Sequence, residues 1–302
     1  MLSRRTAILG APLAAQLMTS TTASAASTKM QLCMHQQTSN GAGFRKSLEG
    51  WAKAGIKNVE LSEAALNAFL KTETLDTAKK LIGDLGLKAV SSQSVLGDLW
   101  IPGPARAASL ETWKLRCEQF SSLGISKIYC PSITNRKVTL DDYKATPDCI
   151  REAGEIAKQH NMTAMIEFAR TSTHLATLTS SLKMIREANH PNVKPMLDFF
   201  HFWSGLSKFE DLDLLQPGEL VHVHYQDIAD VTKELYDNNS RVIPGDGIAP
   251  LTKILQKLSD KGYAGVLSVE LFLPNLTNGD PEAVGAEIKR KGEAVMKQAG
   301  VL

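Results

Sequence analysis

The sequence contains no apolar run of about 18 residues, the least that crosses a bilayer as a helix, so no membrane span is expected. Cysteine is scarce: Cys33, Cys117, Cys130 and Cys149 lie far apart without any C-x-x-C spacing, which excludes a thiolate metal knot or a vicinal redox pair. Cys33 and Cys130 sit inside apolar, strand-like runs and read as small buried side chains. No G-x-G-x-x-G follows the first strand-like stretch, which counts against a dinucleotide-binding sheet. Excess charge is missing too. Of 34 basic residues only two, Arg4 and Arg5, fall in residues 1–25, which hold no acid. Without that segment 32 basic residues face 32 acidic ones. A nucleic-acid binder that relies on a basic surface is thereby excluded. Low-complexity tracts and composition breaks that would mark a linker are absent, so one domain is expected over 28–302.

Residues 1–25 have the three-part pattern of an export signal. Ser3-Arg4-Arg5 is a basic start, Ala7 to Met18 an apolar middle, and Ala23-Ser24-Ala25 a small-residue cleavage site. The paired arginines resemble a twin-arginine signal, although Ala7 stands where a large aromatic is usual. This predicts a periplasmic or otherwise exported protein. Unbridged thiols suit a route that carries folded cargo. An uncleaved N-terminus is the alternative reading.

What the remainder does have is rhythm. Strand-like runs at 30–35, 57–61, 88–92, 126–130, 163–167, 193–198, 220–225 and 265–270 alternate with helix-like segments at 41–54, 75–85, 110–123, 141–160, 173–188, 207–215, 248–258 and 281–298. Eight strand-then-helix units predict a parallel sheet covered by helices, and at this length a closed (β/α)8 TIM barrel of α/β class. A doubly wound open sheet is the alternative. In a barrel, chemistry gathers at the C-terminal strand ends.

Val221 to Asp227, Val-His-Val-His-Tyr-Gln-Asp, alternates apolar and polar residues as a strand does. Three further apolar runs each close on one metal-competent side chain, at Glu167, Asp198 and Glu270. Together with His224 these end strands five to eight and converge on one half of the rim. Three carboxylates and an imidazole suit one divalent ion, with Mn²⁺, Mg²⁺ or Co²⁺ ahead of Zn²⁺. Unneutralised, the carboxylates would repel one another. His222, one pleat deeper, reads as a hydrogen-bonded core histidine. Glu60 and His35 are expected opposite the metal. Trp100, Phe202 and Trp203 are either an apolar wall over a substrate or packing of the barrel mouth.

The order Glu167, Asp198-Phe-Phe-His201, His224-Tyr-Gln-Asp227, Arg241-Val-Ile-Pro-Gly-Asp-Gly247 and Glu270 resembles the xylose-isomerase-like barrel superfamily. That superfamily includes keto-sugar epimerases, hydroxypyruvate isomerases, inosose dehydratases and an apurinic endonuclease. The resemblance implies that Glu167, Asp198, His224 and Glu270 bind the metal, with Glu167 and Glu270 catalytic, and that His201 and Arg241 hold substrate oxygens. It implies a small sugar or keto-polyol as partner, with neither nucleic acid nor membrane, and is compatible with a homo-oligomer. The expected reaction is isomerisation or epimerisation by proton abstraction next to a carbonyl, through a metal-bound enediolate. A lyase of the inosose or keto-glycoside type, with His201, Asp230 or Glu234 as acid, is the alternative. A non-catalytic sugar-binding protein is the third. Two departures bear on the choice: Thr173 replaces a glutamate of the epimerases, and the Ile228–Ser240 loop is longer than theirs. The histidines that a trinuclear endonuclease site needs are missing, since Ser92-Gln93, Pro131 and Asn239-Ser-Arg241 occupy those places.

Overall fold

The computed structural model describes residues 29–134 and 136–302; the export signal expected over 1–25 lies outside them. Eight parallel strands close into a barrel: β1 (Gln31–His35), β2 (Asn58–Ser62), β3 (Lys88–Gln93), β4 (Lys127–Pro131), β5 (Thr163–Glu167), β6 (Val193–Asp198), β7 (Val223–His224) and β10 (Val266–Val269). β10 pairs with both β7 and β1, which closes the ring. Two further short strands, β8 (Asp227–Ile228) and β9 (Arg241–Val242), form an antiparallel pair outside the barrel.

Helices cover the outside because one face of each is apolar. In α10 (Pro281–Gln298) Val284, Ile288 and Met296 turn inward, and Gly285 meets the Trp51 ring of α1 (Gly43–Lys53) closely enough that an added Cβ would lie 3.0 Å from Trp51 Cδ1. The other long covers are α3 (Leu75–Asp84), α4 (Arg106–Ser122), α5 (Leu140–Gln159), α6 (Leu178–Ala188) and α8 (Leu251–Asp260). Capping fixes where helices begin. Thr139 and Asp142 form a capping box at α5, and Thr177 and Ser180 do so at α6. The second box explains one correction. A helix expected from Thr173 begins only at Leu178, and Thr173 instead sits in a turn, with its hydroxyl 2.7 Å from the Arg136 carbonyl and 3.0 Å from that of Thr134.

The periodicity missed three short helices: α2 (Glu63–Phe69), α7 (Phe199–Ser204) and α9 (Pro274–Thr277). The strand expected over 220–225 shrinks to two paired residues, and that expected to include Glu270 ends at Val269. All four cysteines are free and buried.

Candidate metal centre

Glu167, Asp198 and His224 are the last residues of β5, β6 and β7, and Glu270 directly follows β10. These strands are neighbours in the ring, and register places Asp198 and Ser268 on either side of His224. The four side chains therefore meet. His224 Nδ1 lies 3.1 Å from Glu167 Oε1, 3.4 Å from Asp198 Oδ2 and 3.5 Å from Glu270 Oε2. One ligand atom from each lies within 4.8 Å of the others, and all four residues are buried.

The spacing of the motifs has local causes. Asp198 caps α7: its Oδ1 accepts the His201 backbone N–H at 2.7 Å, while Oδ2 faces His224 and Arg241. Asp-x-x-His is thus a cap and its third helical residue. Asp227 lies outside the cluster and fastens the following loop, accepting Gly245 N–H at 3.0 Å and Ala249 N–H at 2.9 Å. Gly247 must be glycine, because a Cβ there would stand 2.2 Å from the Ile228 carbonyl oxygen. The clasped loop directly follows β9 and so helps to hold Arg241 in place.

Arg241 is buried between two aromatic faces, Phe200 at 4.4 Å and Phe272 at 4.9 Å. Its Nη2 lies 3.3 Å from Asp198 Oδ2, 3.2 Å from His201 Nε2 and 3.8 Å from Glu270 Oε2, and Nη1 donates to Asn238 Oδ1 at 2.6 Å. The His201 ring faces two N–H groups, Arg241 at Nε2 and the Arg170 backbone N–H at Nδ1, 3.4 Å away, and a neutral ring accepts from only one of them.

Electrostatics favour a cation here. Without one, burial and the neighbouring Asp198 and Glu270 carboxylates push Glu167 up to about 7, against the pull of His224. Burial also opposes charge on Asp198, yet Arg241, His201 and His224 together hold it well below the usual carboxylate range. His224, despite burial, is driven well above an ordinary histidine by Glu270 and Glu60. Glu167 Oε1 and His224 Nδ1 lie 3.1 Å apart, both buried, and neither makes a well-directed hydrogen bond. A divalent cation would satisfy both atoms and remove the mutual repulsion. The donor set fits one such ion.

Comparison with known proteins agrees with this geometry. The profile described as "Xylose isomerase-like TIM barrel" matches residues 48–292. The chain belongs to that family. An inosose isomerase of Halalkalibacterium halodurans is 26% identical over 250 residues, 81% of this chain and 89% of its own. A 3-dehydroshikimate dehydratase of Bacillus anthracis is 32% identical over 126 residues, 38% of this chain and 44% of its own. Among solved structures, the IOLI protein with a bound zinc atom superposes with TM-score 0.82 at 23% identity, covering 89% of this chain and 99% of that one. A D-psicose 3-epimerase solved with D-fructose gives 0.71 at 21%, with 89% and 99% coverage. At these identities the structures attest the fold.

In this xylose isomerase-like barrel a cavity of about 460 Å³ opens beside the cluster. Glu167, Glu270, His201 and Arg241 all line it. Its far wall is mixed, with Gln37, Ser62 and Gln93 polar, Glu63 acidic but held by Arg116, and Val95, Ile133 and Phe272 apolar. The sequence-based expectation for Glu60 and His35 is corrected: both are fully buried inside the barrel and neither lines the cavity. Glu60 lies beneath the cluster, with Oε2 2.8 Å from His222 Nε2 and 3.3 Å from His224 Nε2. His222 is the core histidine it was expected to be. Of the two readings for Trp100, Phe202 and Trp203, packing is the one observed. Trp100 is buried, its Nε1 donating to the Cys130 carbonyl, Phe202 is core, and Trp203 packs on the Phe200, Ile228 and Tyr236 group. Phe272 was missed, and its signal was its place two residues beyond Glu270. Tyr129 was missed as well.

Proposed function

We propose that this protein is a divalent-metal-dependent isomerase or epimerase acting on an uncharged polyhydroxy ketone by proton abstraction next to the carbonyl. The observation that carries the reading is the convergence of Glu167, Asp198, His224 and Glu270 beside a cavity that Glu167 and Glu270 line and whose single cation among the described residues is Arg241. These four residues would hold one ion, with Mn²⁺, Mg²⁺ or Co²⁺ suiting the oxygen-rich set best and Zn²⁺ admissible. When bound, such an ion acts as a Lewis acid on substrate oxygens.

The chain's own residues account for the rest. Glu167 lines the cavity and no hydroxyl or amide holds its Oε1, which has only the His224 ring beside it at 3.1 Å, so it is the carboxylate placed to take the α-proton. The C–H electron pair becomes the enediolate double bond, and the carbonyl oxygen gains the negative charge. Return of the proton to the adjacent carbon isomerises the substrate; return to the opposite face of the same carbon epimerises it. Arg241, held by Asp198, Asn238 and stacked rings, presents a fixed positive charge to the developing oxyanion. The apolar patch at Val95, Ile133 and Phe272 suits the C–H face of a sugar or cyclitol.

Elimination by a lyase is the second reading, motivated by the resemblance to 3-dehydroshikimate dehydratases. It needs an acid at the leaving oxygen. The two ring nitrogens of His201 face the N–H groups of Arg241 and Arg170, of which a neutral ring accepts only one, and burial pushes its pKa down to about 4, so it holds no second proton to give near neutral pH. Asp230 does not line the cavity, and Glu234 is exposed and bonded to Thr232. The isomerase reading is therefore preferred. Incubating the Mn²⁺-loaded protein with inososes, keto-hexoses and keto-glycosides, with product mass as readout, separates the two. Unchanged mass with a new isomer supports isomerisation, and a loss of 18 mass units, one water, supports the lyase. Export through the leader belongs to the same proposal, and fractionation of cells with and without Arg4→Lys/Arg5→Lys tests it.

A further inference from the structure

We propose that Tyr129 is the positioning residue of Glu270: its hydroxyl holds one carboxylate oxygen and leaves the other to the metal. The inference rests on the metal site proposed above, but not on the reaction. Tyr129 stands on β4, fully buried within the barrel. Three groups reach its oxygen: Gln93 Nε2 at 2.8 Å, His35 Nε2 at 3.2 Å and Glu270 Oε1 at 3.3 Å. A phenol has one hydrogen to give, so the direction of each bond can be worked out.

Gln93 donates through its amide. At His35, the Gln37 backbone N–H donates to Nδ1 at 3.0 Å, so that nitrogen carries the lone pair. A ring that accepts at Nδ1 keeps its hydrogen on Nε2, and His35 is therefore the second donor to the Tyr129 oxygen. Glu270 Oε1 is the one acceptor of the three. The phenolic hydrogen must point to it.

The consequence is an asymmetry between two glutamates that the sequence presents as equivalents. Glu270 has Oε1 engaged by Tyr129, and its Oε2 faces His224 Nδ1 at 3.5 Å and Arg241 Nη2 at 3.8 Å. Glu167 Oε1 has only the His224 ring beside it, 3.1 Å away, and no hydroxyl to anchor it. Tyr129 also sets its ring edge-on against His224, with centroids 4.9 Å apart and planes at 84°. One residue thus orients two of the four ligands, as groups behind metal ligands do elsewhere.

The test is the affinity of the metal-free protein for Co²⁺ or Zn²⁺, measured by competition with a chromogenic chelator. Tyr129→Phe keeps the ring and removes only the hydroxyl. It should weaken binding about tenfold, the lower end of what loss of such a partner costs. Introduced into Glu270→Ala, the same change should have no further effect, because the carboxylate it orients is gone. An affinity of Tyr129→Phe within about twofold of wild type would overturn the proposal, as would losses that simply add in the double variant. A metal-free Tyr129→Phe that fails to fold would overturn it too, since the hydroxyl would then be structural. None of these readings needs turnover, so failure of the isomerase assignment remains separately visible.

Discussion

His222 Nε2 lies 2.8 Å from Glu60 Oε2, and both side chains are fully buried inside the barrel. The same carboxylate oxygen is 3.3 Å from His224 Nε2, so one buried acid underlies both the core histidine and the candidate ligand. Burial alone would raise the pKa of Glu60, yet His222 and His224 hold it well below its ordinary value.

Burial lowers the pKa of His222, so it serves Glu60 as a neutral hydrogen-bond donor. His222→Leu should therefore destabilise the metal-free protein by about 1.5–3 kcal/mol, the worth of a hydrogen bond to a charged group, read from urea unfolding midpoints. A change below about 1 kcal/mol would mean that His224 alone satisfies Glu60.

His174 sets part of the acid sensitivity. It is buried beside Tyr143, with Nε2 2.9 Å from Thr146 Oγ1, and burial pushes its pKa down to about 4. A folded-state value below the unfolded value of about 6.5 means that the unfolded chain takes up the proton first. The contribution is full above about pH 6.5 and is lost as pH falls toward 4, by roughly 3 kcal/mol in all. The stability gap between wild type and His174→Gln should therefore narrow between pH 7 and pH 4.5. A gap that stays constant with pH would contradict this.

How much of this could be read beforehand follows from how local each cause is. β5 and β6 were bounded correctly, Glu167 and Asp198 included, because an apolar run ends on a polar residue just as the strand leaves the barrel. α2 and α7 were missed because seven and six residues are too few to show a period of 3.6. The loop after β7 holds the β8–β9 pair, organised by Asp227 across 22 positions to Ala249, which no local pattern displays. Tyr129 gives the sharpest case. It lies in an ordinary apolar run, and only barrel closure brings it to Glu270, 141 positions away. Trp100 stayed open between wall and packing because composition places an aromatic in a loop without saying which way its ring turns.

Substrate charge follows from the lining of the cavity. Among the described residues Arg241 is its single cation, and that guanidinium is already engaged by Asp198 and Asn238. With the remaining charge of Arg241 directed at the developing oxyanion, no further cation is left for a phosphate or carboxylate on the substrate. An uncharged keto-polyol should be turned over at least about tenfold more efficiently, in kcat/KM, than the phosphorylated or carboxylated compound on the same skeleton. Equal efficiencies would place an unrecognised cation at the mouth.

The most direct measurement of the central claim is exchange of solvent deuterium into the α-position of a keto-polyol. It should be followed by NMR for wild type and Glu167→Gln, with metal content determined on the same samples. The account predicts one divalent ion per wild-type chain and no exchange after chelation. It also predicts exchange at least about 100-fold slower in Glu167→Gln at matched metal occupancy. Exchange at the wild-type rate in the chelated protein, or in metal-loaded Glu167→Gln, would contradict it.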